Sequence, residues 1–213
     1  MRGVRGWSAG SLFDAALHSP AMIRARNLAK RFGDKRVFDS VDIDVPDGGF
    51  LLVTGPNGSG KTTLLRILAG LAAPTAGELR IPDRRLIGFI AHDPLVYREL
   101  TARENLTLFA RLYGVPRWSA RVADLLAAFG LGAVADTRVS TFSRGMQQRL
   151  GLARVVLPSP EVLVLDEPYN ALDADGSAVL DSVLDEFEGR TFVVATHDPA
   201  RVARRATELL AFA

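Results

Sequence analysis

From residue 23 onward apolar and polar positions interleave with the period of a strand: Ile23, Ala25 and Leu28 against Arg24, Arg26 and Asn27. The stretch Lys30, Arg31, Phe32, Gly33, Asp34, Lys35 then supplies turn chemistry, and alternation resumes over residues 37–45, with Val37, Val41, Ile43 and Val45 against Asp42 and Asp44. This pattern predicts an antiparallel β piece, closed by a turn at residues 46–49. A continuous apolar run, Phe50 to Val53, follows, then a glycine-rich loop and a helix-like segment over residues 63–69. Pro74 and Gly77 turn the chain into Glu78, Leu79, Arg80 and Ile81, and residues 86–90 read as a buried strand.

The period then changes. Thr101 and Glu104 form a capping box, and Leu106, Phe109, Ala110 and Tyr113 recur at helical spacing as far as Gly114 and Pro116. Two further helices are expected at 119–129 and 144–157, the second ended by Pro158 and Pro160. Strand pattern returns in Val162 to Leu165, a helix in 173–186, a strand in 191–196, then a short helix and an apolar ending at 208–212. Helices lying between strands of this kind predict an α/β core with an inserted helical lobe, about residues 92–157.

Residues 1–21 stand apart. Their apolar piece is short and broken by Asp14, a poor signal peptide, so they read as a loose, flexible extension with Met22 as the expected beginning of the domain. A length of 213 residues suits one sizeable core. No window approaches eighteen consecutive apolar residues, so a membrane role has to run through a partner. The chain has no cysteine, which excludes disulfides and thiolate metal sites. Net charge is only +2 and no dense basic block appears, so no nucleic acid partner is expected.

Candidate chemistry centres on Gly55, Pro56, Asn57, Gly58, Ser59, Gly60, Lys61 and Thr62, which fit G-x-x-x-x-G-K-[ST] in full, with Thr63 next. The glycines let consecutive N–H groups point at one anion, and the following helix offers its positive end to the same place. Lys61 would reach the β- and γ-phosphates, and Thr62 would hold Mg²⁺. Asp166 and Glu167 end the apolar run Val162 to Leu165. A carboxylate at the end of a strand beside the loop strand can hold Mg²⁺, and its neighbour can orient or deprotonate water.

Between these elements stands Phe142, Ser143, Arg144, Gly145, Met146, Gln147, Gln148, Arg149, and after them come Asn170, Ala171, Leu172, Asp173 and then Thr196, His197, Asp198. From about Met22 the whole resembles an ATP-binding-cassette (ABC) ATPase domain. The resemblance implies a P-loop NTPase fold, a RecA-like mixed or parallel sheet core with an antiparallel β subdomain and the helical lobe, covering residues 22–213. It implies ATP and Mg²⁺ as ligands, hydrolysis as activity, and two subunits sandwiching two nucleotides head to tail. Ser143 and Gly145 of one subunit would then close on the ATP held by the other, Asp173 would belong to the loop facing that subunit, and His197 would bond the γ-phosphate and position water. Phe32 matches the aromatic that stacks on adenine, although a core aromatic at a strand edge would look the same.

The chain departs from the family pattern in its glutamine position and in its signature. His92 stands where a glutamine is usual, Phe142 where a leucine is usual, and Arg144 replaces the first glycine of the signature. With His92, the segments 95–106 and 109–114 are similar to haem-exporter ATP-binding subunits of cytochrome c biogenesis, though exporters of drugs and other solutes share the same helix start. This branch implies an integral-membrane permease partner, a second ATPase subunit that makes a homodimer, and a place on the cytoplasmic face of the cell membrane. Tyr97 and Leu100 are candidates for the groove that receives the permease, or equally for lobe core. A soluble cassette ATPase acting on nucleic acid or the ribosome is the alternative.

Overall fold

The computed structural model describes residues 23–91, 93–187 and 189–212. The expected extension at 1–21, Met22 and His92 lie outside them. The alternating segments fold as strands β1 (Ile23–Phe32) and β2 (Lys35–Val45), paired antiparallel from Ile23 opposite Val45 to Phe32 opposite Lys35. Strand β4 (Ala76–Arg80) joins the other edge of β1, with Arg24 opposite Arg80, giving a three-stranded sheet ordered β2-β1-β4. Before it come β3 (Phe50–Thr54) and helix α1 (Lys61–Leu68).

Strand β5 (Ile87–Ile90) is followed by helices α2 (Ala102–Leu112), α3 (Trp118–Ala128) and α4 (Arg144–Val156), then by β6 (Val162–Asp166), α5 (Ala174–Glu186), β7 (Thr191–Ala195) and β8 (Glu208–Ala211). The second sheet is parallel and ordered β5-β6-β7-β3-β8. Its central strands are apolar throughout because both faces are covered. Phe50, Leu52, Leu163, Leu165, Phe192 and Val194 meet α2–α5 on one face. Leu51, Val53, Val162, Val164, Val193 and Ala195 meet α1 and the antiparallel sheet on the other. The three helices between β5 and β6 therefore share one apolar cluster with the parallel sheet.

Local chemistry explains the ends of these helices. Thr101 Oγ1 accepts from Glu104 N at 3.1 Å while Glu104 Oε2 accepts from Thr101 N at 2.8 Å, the reciprocal capping box the sequence predicts. At the end of α4, the guanidinium of Arg121 on α3 donates to the carbonyls of Val156, at 3.0 Å, and Leu157, at 3.4 Å. These are carbonyls that a helix terminus leaves without internal partners. Burial pulls the Arg121 pKa down, with the charges of Glu186 and Asp124 opposing the shift.

Two expectations are corrected. The short helix foreseen before residue 208 is a single 3₁₀ turn, Pro199–Arg201, followed by turns. Asp198 makes no side-chain cap there, and between Pro199 and Thr207 only Val202 is buried, too little to hold an isolated helical turn. The second correction concerns the parallel sheet: the neighbour of β3 on the side of Asp166 is β7, so the strand that ends in Asp166 is one strand removed from the loop strand. Among the described residues no helix is long and apolar enough to cross a membrane.

Candidate functional site

Register sets the site. Val53 on β3 and Asp166 on β6 both pair with Ala195 on β7, so the glycine loop and Asp166 leave the sheet at the same level, about two strand spacings or ~9.5 Å apart. Such a level edge at the carboxyl ends of parallel strands is where ligands bind in α/β sheets. A cleft of about 330 Å³ opens there, lined on one side by Asn57, Gly58, Gly60, Lys61, Thr62 and Thr63 and on the other by Asp166 and Glu167.

The loop bends as only glycine permits. Gly55, Gly58 and Gly60 have φ of 139°, 82° and 107°, and a Cβ on Gly60 would stand 2.8 Å from Val37 Cγ1. Gly60 is also the N-cap of α1, with no side-chain cap and no acidic residue in the first turn. The helix start thus leaves its positive end and its N–H groups open to the cleft. Lys61 is buried, and its Nζ donates to the carbonyls of Gly55 and Pro56 at 2.7 and 3.0 Å. The hydroxyl of Ser59 is buried without a hydrogen-bond partner inside the loop.

Across the cleft Asp166 is buried, and the chain turns at Glu167 with φ of 51°, a left-handed conformation that costs a non-glycine residue about 1–2 kcal/mol. The turn is pinned to β7: Glu167 N donates to Ala195 O at 2.9 Å, and Glu167 Oε2 accepts from His197 N at 3.2 Å. His197 Nδ1 lies 2.7 Å from the same oxygen. The carboxylate is mostly enclosed, its side chain 15% exposed, while the imidazole is 64% exposed.

Phe32 lies at the mouth of the cleft with 59% of its surface exposed and Lys30 Nζ 4.8 Å from its ring centre, so the edge-strand core alternative does not hold. Lys35, Arg36 and Val37 also line the cleft, although no motif marks them. Their signal was the Gly33 turn, which folds β2 back beside Phe32.

Three candidates lie elsewhere. Ser143 is the N-cap of α4, its Oγ accepting from Met146 N at 3.2 Å; Gly145 sits in the first turn of that helix, where a Cβ would meet Ala171 O at 3.0 Å; Asp173 caps α5 by accepting from Gly176 N at 2.8 Å. None of the three lines the cleft of Lys61 and Asp166. Gln148, buried on α4, donates to Pro168 O at 3.4 Å and so ties the helix that Ser143 begins to the turn after Glu167. Phe142 replaces the expected leucine as a core residue, buried in the helical cluster.

The donor set fits a triphosphate with a divalent cation. Open amide groups and Lys61 suit phosphate oxygens, and a buried carboxylate faces a threonine hydroxyl across the same cleft, oxygen ligands of the kind Mg²⁺ takes. The family model described as ABC transporter matches residues 38–170. The lantibiotic transport ATP-binding protein SrtF of Streptococcus pyogenes is 35% identical over 185 residues, covering 83% of this chain and 80% of its own length. The daunorubicin resistance ATP-binding protein DrrA3 of Streptomyces coeruleorubidus is 41% identical over 180 residues, 78% of this chain but only 57% of that protein. Among solved structures, the dimeric ATP-binding cassette MJ0796 in a post-hydrolysis state with ADP and Pi superposes with a TM-score of 0.80 at 29% identity, covering 90% of this chain and 94% of that one. The chain belongs to the ABC transporter family as an ATP-binding subunit, an ATPase that takes ATP with Mg²⁺.

Proposed function

We propose that two copies of this chain close on two ATP molecules and that closure, reset by hydrolysis, drives export through a membrane permease on the cytoplasmic side of the cell membrane. The observation that carries this is the separation of the two half-sites: Lys61, Thr62, Asp166 and Glu167 share one cleft, while Ser143 and Gly145 open α4 outside it. An uncapped anion-binding cleft, and a second helix start at Ser143 that does not line it, suit a clamp completed by another copy. Residues 22–213 form the ATPase domain in this reading, with 92–157 as its helical subdomain.

Within the clamp, Lys61 and the loop amides bind the β- and γ-phosphates, and Thr62 and Asp166 would hold Mg²⁺, which would supply neutralisation of phosphate charge. Glu167 accepts a proton as water attacks the γ-phosphorus. The bond from that phosphorus to the bridging oxygen breaks, leaving ADP and inorganic phosphate. His197 steers the Glu167 carboxylate and bonds the γ-phosphate, and Phe32 stacks on the adenine. His92 bonds a water or carries a proton relay in this reading. Asp173 faces the second copy.

For the permease, a groove of about 590 Å³ between α1, β5 and the helices offers Leu71, Leu95, Leu112 and Tyr113 as exposed apolar walls. Tyr97 is exposed, so lobe core does not describe it, and its ring is tilted against that of Phe109, 5.9 Å between centroids; neither Tyr97 nor the half-buried Leu100 lines this groove. The names of SrtF and DrrA3 favour a lantibiotic or drug-like solute as cargo. Haem export is the second reading, favoured by His92 and segment 95–106. The test is the oligomeric state of the Glu167→Gln protein by light scattering: a dimer with ATP and a monomer without it supports the clamp, and a monomer under both conditions sinks it. Transport by the reconstituted complex, assayed with a lantibiotic, an anthracycline and haem, distinguishes the cargoes.

A further inference from the structure

Of the three arginines that line the apolar groove, Arg84, Arg85 and Arg154, only Arg154 is buried. Arg154, two residues before the end of α4, is only 8% exposed and lines the groove with Leu95, Leu112 and Tyr113. Its guanidinium lies over the Phe109 ring, 5.1 Å from the centroid, and its Nη1 reaches the Tyr113 hydroxyl at 3.5 Å, the limit of a hydrogen bond. Nε and Nη2 are buried and have no partner. Arg84 and Arg85 are exposed at the groove's edge, and Arg85 is held by Asp83 through contacts of 2.7 and 3.1 Å, which pull the Asp83 carboxyl down to about 2.

Buried guanidinium donors left without acceptors are strongly disfavoured, and native proteins pair them. An arginine on the wall of an apolar groove brings a planar donor fork that matches a carboxylate. We infer that the segment docking in this groove carries an Asp or Glu side chain that pairs with Arg154, replacing the weak Tyr113 contact. This rests on the permease-docking reading above and adds the chemistry of the occupant: a short apolar segment with one acidic residue facing inward. A charge pair enclosed by apolar walls, away from water, is the arrangement found at interface hot spots.

The position has a mechanical consequence. Arg154 and Arg144 are ten residues apart on α4, about 15 Å at the rise of an α-helix, and Ser143 caps the other end. The acidic residue would grip the same rigid helix that presents Ser143 to the nucleotide of the second copy.

The experiment uses the intact complex in membranes of the source cell. A photo-cross-linking amino acid in place of Leu112, exposed on the groove wall, should capture a multi-span membrane protein, with the cross-linked peptide carrying Asp or Glu within about one helical turn of the cross-link. Arg154→Met, which keeps the volume against Phe109, should weaken assembly of the purified complex at least tenfold while the isolated chain keeps its thermal transition and its ATP affinity. Arg154→Asp combined with Lys at the partner's acidic position should restore assembly. A cross-linked membrane peptide without a carboxylate, or an Arg154→Met complex as tight as the parent, overturns the pairing and leaves docking intact. Capture of no membrane protein at Leu112 overturns the docking reading itself.

Discussion

The Oε2 atom of Glu167 receives two contacts from one residue, the backbone N–H of His197 at 3.2 Å and its imidazole Nδ1 at 2.7 Å. The two residues follow the ends of adjacent strands, so the β6–β7 register itself fixes the carboxylate. Glu167→Gln keeps the size and most of this bonding and removes the base. ATP turnover should fall about a hundredfold or more, as loss of a general base does, with the ATP dissociation constant nearly unchanged. Single-turnover kinetics beside equilibrium ATP binding checks both halves, and undiminished turnover would return Glu167 to a strand-end turn. His197→Ala leaves the backbone contact in place, so its loss should appear in kcat more than in KM.

Phe32 is mostly exposed, so Phe32→Ala has little effect on the fold. Its effect should be on nucleotide affinity. Stacking of a base on an aromatic ring is worth about 1–3 kcal/mol by alanine substitution, roughly a five- to hundredfold weaker dissociation constant. Titration with ATP and with inorganic triphosphate separates the cases: ATP binding should weaken and triphosphate binding should not. Equal loss for both ligands would mean that Phe32 shapes the cleft without touching adenine.

The phosphate loop and the Asp166–Glu167 pair were legible because each is a contiguous run whose chemistry needs no knowledge of distant partners. Strand order was not. Which strand separates β3 from β6 depends on pairing between Leu51 and Val193 and between Leu163 and Phe192, contacts more than a hundred residues apart in the first case, and an apolar run carries no label for its neighbour. Lys35 and Arg36 escaped notice for a similar reason, since only the hairpin folds them over the cleft. Arg154 was hidden by its type: arginine in a helical pattern reads as surface, and its burial against Phe109 appears only when α2 and α4 are packed.

Gly77 offers a test of the antiparallel sheet that does not involve the nucleotide. Its φ is +91°, and a Cβ would stand 2.4 Å from Asn27 O and 2.7 Å from Arg26 O, backbone atoms of β1 that cannot rotate away. Gly77→Ala should therefore separate β4 from β1 locally and destabilise the protein by about 2 kcal/mol or more, combining left-handed strain with a backbone clash. Denaturant unfolding measures it. A loss below ~0.5 kcal/mol would mean that β4 shifts freely along β1.

Asp173 has two assignments that a pair of substitutions can separate. Its Oδ1 accepts the Gly176 N–H at 2.8 Å and caps α5, while in the proposed clamp it also faces the second copy. Asparagine caps a helix about as well as aspartate, whereas alanine does not, at a cost of about 1 kcal/mol. Asp173→Ala should therefore lower the stability of the isolated chain by about that amount, and Asp173→Asn should lower it little, apart from the lost charge near the helix start. Placed in the Glu167→Gln background, Asp173→Asn then reports on the dimer alone. If the carboxylate acts across the interface, ATP-driven dimerisation weakens in the asparagine variant although the fold is intact. If the dimer forms as before and only the alanine variant suffers, Asp173 is a helix cap and nothing more.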